Sequence, residues 1–112
     1  MSDEISLLPD ATPLRPGLFR SCGPAPVADL ALPGIGRVGA PRRADPEALF
    51  AVLRRRQGAQ DICLLDQLRC VTAQARDPQL PAPRRDWFWW SRQRKGGRLP
   101  PLPPAPEDDN GR

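Results

Sequence analysis

The chain has 112 residues, 17 of them basic and 13 acidic, with no His, no Tyr and a formal net charge of +4. That length leaves room for one small domain at most, and the missing His excludes Ser–His and Cys–His catalytic pairs. Sixteen of the basic residues are Arg, which together with the 16 prolines and nine glycines fits a GC-rich coding sequence, such as that of a bacterium or its phage.

Residues 1–44 carry seven prolines and five glycines between short apolar patches such as Leu18-Phe19 and Val27–Leu32. Proline fixes φ and removes a backbone donor, so helices here are cut to a turn or two. The segment reads as an extended arm with enough apolar side chains to lie along the rest of the chain or along a partner. Its acidic start, Met1-Ser2-Asp3-Glu4, is unlike a secretory signal. The expected location is the cytoplasm, or the host nucleus for a viral gene.

No proline lies between Glu47 and Asp77, the one window where a regular helix can run unbroken. Asp45 is placed to cap a helix over 46–57, and Pro46 takes the first helical position, where its missing N–H costs nothing. Leu49, Val52 and Leu53 line one face beside Phe50. Arg54, Arg55 and Arg56 suit the negative end of the helix dipole, and Gly58 is a natural stop. A second helix is expected over 61–75, with Leu64, Leu68, Val71 and Ala75 at helical spacing, Ile62 and Leu65 beside them, and Asp77-Pro78 ending it. Residues 45–77 therefore read as a short helical hairpin; the rival is one bent helix. A lone hairpin of this size is too small to hold itself, so it must be wrapped by its flanks or dock on a partner.

Residues 78–97 form a linker and an aromatic–basic segment. All three tryptophans and one of the three phenylalanines fall at Trp87, Phe88, Trp89 and Trp90, followed by Arg92, Arg94 and Lys95. Asp86 is placed to cap a short third helix over 86–95. The tail, 98–112, is Pro-rich and then acidic, and should be extended and unpacked. The fold class is thus mostly α with extensive irregular segments and Pro-rich arms.

No catalytic, cofactor or metal site emerges. Gly34-Ile35-Gly36-Arg37-Val38-Gly39 has the spacing of a phosphate loop but lacks the preceding strand. Zinc wants closely spaced Cys or His pairs, whereas Cys22 is isolated and Cys63 and Cys70 are seven residues apart. On one helix that spacing is about 10 Å along the axis, beyond the roughly 7 Å reach of a disulfide. Reduced thiols packed as small hydrophobes are expected.

The chain is therefore expected to bind rather than catalyse. The leading reading is a small accessory or adaptor protein that anchors Trp87, Phe88, Trp89 and Trp90, with Arg92, Arg94 and Lys95, in a protein groove, supported by Leu49, Leu53, Leu64 and Leu68. Against it stands the plain alternative that the aromatics are core. The runner-up is nucleic-acid binding, with Trp stacking on bases and Arg54, Arg55, Arg56, Arg84, Arg85, Arg92, Arg94, Lys95 and Arg98 as the basic contacts, the first five of them on phosphates. A DNA-reading helix-turn-helix would expose the polar residues of the second helix, Gln67, Arg69, Thr72, Gln74 and Arg76. A structural part of a larger assembly is a third reading; a membrane surface is disfavoured and no small-molecule substrate is expected. The tail segment Arg98–Pro104 resembles R-x-x-P-x-x-P ligands of SH3 domains through Arg98, Pro101 and Pro104, and its Pro-Pro-Leu-Pro resembles a WW ligand.

Overall fold

A computed structural model describes residues 8–20 and 36–105 of the chain. Among the described residues there are four α-helices and no strand: α1 over Gly39–Arg43, α2 over Pro46–Gln57, α3 over Ile62–Arg76 and α4 over Trp87–Lys95, with a 3-10 turn at Ala82–Arg85 before α4. The fold is mostly α, with a helical hairpin and irregular segments on both sides of it.

The three longer helices start on one device. The Asp45, Asp61 and Asp86 side chains accept the backbone N–H two residues on, at Glu47, Cys63 and Phe88. Each satisfies a donor that the first helical turn leaves orphaned. Pro46 opens α2 as expected, and Gly58 closes it at φ 87°, a conformation that favours glycine. Helix α3 runs one residue later than its spacing predicts at each end, and α4 begins at Trp87 because Asp86 is its cap.

Helix α3 is the axis of the domain. Ten of its 15 residues are buried, more than a helix with one solvent-facing side would bury. Leu64, Leu65 and Leu68 meet Leu49, Phe50 and Leu53 of α2, together with Leu14 and Val38 from the N-terminal segment. Cys70 and Ala73 meet Leu80 and Trp90, with Trp87, Trp89 and Leu102 at the edge. The hairpin is thus wrapped by its own flanks on two sides, which answers its lack of core.

Among the described residues, the N-terminal flank meets the chain ahead of α1 in an isolated antiparallel bridge between Pro13 and Arg37. Leu14 N–H donates to Gly36 O at 2.8 Å and Val38 N–H to Thr12 O at 2.9 Å. Pro13 sits between these bonds at a position that uses no N–H of its own, so proline is tolerated there. On the other side, Leu102 and Pro103 are half-buried, and the Arg76 guanidinium donates to Pro103 O at 3.0 Å. The tail is therefore packed at least to Pro103, unlike the free tail its composition predicts: Leu102 has apolar surface to bury, and Arg76 ties down the residue after it.

Candidate functional site

The Arg residues divide into those that build the fold and those that face outward. Arg42, almost fully buried, donates to Ala75 O at 2.8 Å and to the Asp10 carboxylate at 2.7 Å. The first bond satisfies one of the orphaned carbonyls at the C-terminus of α3, where a cation also suits the dipole. Arg43 donates to the other Asp10 oxygen at 2.8 Å. The bonds from Arg43 and then Arg42 hold the Asp10 carboxyl below its ordinary 3.8. Arg76 donates to Arg42 O, Ala44 O and Pro103 O, fastening the α1–α2 link and the tail to α3; desolvation pulls its pKa down.

A second network crosses the domain. Asp66 on α3, with no solvent exposure, accepts two bonds from Arg94 on α4, at 2.9 and 2.8 Å. These bonds push the Arg94 pKa up from its ordinary value. Arg69 lies 3.7 Å from Asp66 and donates to Glu47 on α2 at 3.1 Å. A chain Glu47–Arg69–Asp66–Arg94 therefore links α2, α3 and α4. The sequence carried one signal for it: an acid set among Leu64, Leu65 and Leu68 needs a cation brought from elsewhere.

The aromatic–basic segment splits in the same way. Trp90 is buried, and its indole N–H donates to Arg84 O at 2.8 Å. Trp89 meets Trp90 edge-on at 5.1 Å and lies under the Arg84 guanidinium. Trp87 and Trp89 pack against the same core. Three of the four aromatics thus serve the fold at least in part, and Arg94 is held by Asp66. Phe88, Arg92 and Lys95 face outward, with Phe88 54% exposed and stacked on Trp87 at 4.1 Å between centroids.

The remaining predicted contacts are mixed. Arg54, Arg55 and Arg56 are all exposed at the end of α2. Arg54 lies over the Phe50 ring, and with Arg55, Ala51, Gly58 and Ala59 it lines an open hollow of about 440 Å³. Arg84 and Arg85 are half-buried, and Arg85 donates to Leu80 O at 2.7 Å. Helix α3 is no exposed recognition helix: Arg69 and Thr72 are buried, Gln74 exchanges two hydrogen bonds with the Arg20 backbone, and Arg76 is the clamp described above. In the tail, Arg98, Pro101 and Pro104 are exposed.

Cys63 and Cys70 are free thiols. Cys70 is buried, and its thiol lies 3.7 Å from Arg84 O. Desolvation, reinforced by Asp61, pushes the Cys63 thiol above its ordinary 9.0, the opposite of what an activated nucleophile needs. Cys22 and the Gly34–Ile35 part of the glycine motif lie outside the described residues. Among the described residues no cluster of His, Cys, Asp and Glu is suited to a metal, and no helix is long and apolar enough to cross a membrane.

Charge sums these placements up. The chain has a net charge of +4, and seven of its 13 carboxylates lie among the described residues. All seven carboxylates are engaged: Asp10, Glu47 and Asp66 by Arg, and Asp45, Asp61, Asp77 and Asp86 by backbone N–H groups. Arg54, Arg55, Arg56, Arg92 and Lys95 pair with no carboxylate among the described residues.

Together these features define a small, basic, mostly α protein organised around one buried helix. Residues 19–96 match the model of the Cdd1 family, described as "Pathogenicity locus", and the chain belongs to that family. The match takes in all four helices and ends before Arg98, so the Pro-rich tail lies outside it. No curated protein and no solved structure matches the chain.

Proposed function

We propose that this chain is a non-enzymatic binding protein whose partner is nucleic acid, held through its outward-facing Arg and Lys side chains. The observation that carries this reading is the exposure of Arg54, Arg55, Arg56, Arg92 and Lys95, none of them paired with a described carboxylate, on a chain of net charge +4. Cations left on the surface of such a body attract a polyanion, and release of its counterions drives association. The aromatic segment supports a protein groove less than its composition suggests, because Trp90 is enclosed and Trp87 and Trp89 pack on the core.

The test is binding of the full chain to labelled DNA across a series of salt concentrations. The affinity should fall steeply as salt rises. Replacing Arg54, Arg55 and Arg56 by Gln should reduce the slope of log K against log salt by about 0.9 for each duplex phosphate that is no longer neutralised. A salt-independent affinity, or no binding at low salt, overturns the reading.

One observation favours a protein-interaction role as the second reading. Arg98, Pro101 and Pro104 are exposed together, while half-buried Leu102 and Pro103 fix the tail to the domain. An extended Pro-rich strand held this way loses little entropy on docking. Truncation after Gly97 should then abolish partner binding and leave DNA affinity unchanged.

A further inference from the structure

We propose that the outer stripe of α4, formed by Phe88, Arg92 and Lys95, is a binding site for single-stranded nucleic acid. Phe88 stacks on an unpaired base, and Arg92 and Lys95 take the neighbouring phosphates. The inference rests on the nucleic-acid reading above and assigns it a face and a strandedness.

The spacing is the first argument. Phe88, Arg92 and Lys95 are four and three residues apart, which puts them on one face of a helix over about 10 Å of its length. All three are exposed, whereas Trp90 and Ser91 are turned into the domain and Arg94 is engaged by Asp66. The helix is sorted into a structural side and an outward side that carries one ring and two cations.

The second argument is the state of the ring. Phe88 is 54% exposed, the largest exposure among the big apolar side chains of the described residues. It is held against Trp87 at 4.1 Å with an interplanar angle of 25°. A ring backed in this way is oriented before any ligand arrives, and a base that stacks on it loses water from an apolar surface that is otherwise wet.

Charge complementarity names the occupant. Helix α4 contains no acidic residue, and the Asp86 carboxylate ahead of it is occupied in capping Phe88 N–H. A ring followed by two cations matches a ligand in which planar bases alternate with phosphates. In a duplex the bases are already stacked on each other, so only an unpaired base offers its face to Phe88.

The test uses the full chain with a short labelled oligothymidylate, a duplex of equal length, and vesicles containing phosphatidylserine. Phe88→Ala should weaken oligothymidylate binding about tenfold, an effect in the range of one base–aromatic stack, and leave duplex binding within about twofold. Phe88→Trp should retain the affinity. Arg92→Gln with Lys95→Gln should reduce the single-strand salt slope by about 1.4, two phosphates at about 0.7 each. Binding of both nucleic acids with no response to any of these variants overturns the site but leaves the broader reading standing. Binding of neither nucleic acid at low salt overturns both. Capture by the vesicles alone, abolished by Phe88→Ala, also overturns the proposal and makes the stripe a lipid-binding face.

Discussion

The Asp66 carboxylate, fully enclosed in the middle of α3, is gripped by the two parallel bonds of the Arg94 guanidinium from α4. The pair joins the central helix to the aromatic helix. Removing Arg94 leaves the buried Asp66 with only Arg69 at 3.7 Å, whereas replacing both with apolar groups leaves Arg69 its bond to Glu47. Arg94→Met should therefore lower the urea midpoint clearly, and Asp66→Leu with Arg94→Met should recover much of the loss. Equilibrium unfolding followed by far-UV circular dichroism measures both. A double variant no more stable than Arg94→Met would show that the pair itself holds the helices together.

Trp90 and Phe88 are two residues apart and should respond oppositely to truncation. Trp90 is 1% exposed and donates to Arg84 O. Trp90→Ala loses that bond and opens a cavity, for a cost of about 3–5 kcal/mol. Phe88→Ala removes a mostly exposed ring, and its effect on stability should stay within about 0.5 kcal/mol, as for surface changes generally. Denaturant unfolding of the two variants separates core from surface on α4. Equal losses would mean that Phe88 is structural and would remove it from any binding face.

The helices were legible in the sequence because their signals are local. Asp45, Pro46 and Gly58 fix α2 at both ends, and the Leu64–Ala75 stripe with Asp77 fixes α3. What stayed hidden depends on contacts between distant residues. Arg69 and Thr72 read as exposed polar positions, yet they are buried, because the flanks close over α3 on both sides. Arg92 and Arg94 look alike in sequence and have different roles, decided by whether Asp66 lies within reach. The aromatic run announced that α4 matters but not which of its rings would be core. That follows from the 3-10 turn at Ala82–Arg85, which presents Arg84 O to Trp90.

Gly39 opens α1 where the chain crosses Asp10. A Cβ at Gly39 would lie 2.8 Å from Asp10 Cβ and 3.0 Å from its Cγ. Gly39→Ala must displace the carboxylate that Arg42 and Arg43 share, at a cost of about 1–3 kcal/mol, as for other overpacked sites. Adding Asp10→Gly removes the side chain that clashes. Gly39→Ala should then cost less in that background than in the wild type, since neighbours in contact are not additive. A double-mutant cycle by thermal unfolding measures the coupling; full additivity would mean that the two residues do not meet.

Asp10 also sets an acid limit on stability. Its carboxyl is held below 3.8, first by the bond from Arg43 and then by that from Arg42. The folded state therefore binds the proton more weakly than the unfolded chain does. The stabilisation is complete above the unfolded value and is lost as pH falls through the lower folded value. Asp10→Asn lacks this dependence. The gap in urea midpoint between wild type and Asp10→Asn should be full near pH 6 and constant down to about pH 5. It should narrow as pH falls below 3.8 and close as pH passes through the lower folded value. Asp61, lowered chiefly by its bond from Cys63 N–H, adds a second acid-dependent contribution of the same sign and is unaffected by Asp10→Asn. The Asp10→Asn variant should accordingly still lose stability in acid. A gap that stays constant across the acid range would mean that the Arg42 and Arg43 bonds do not favour the ionised carboxylate.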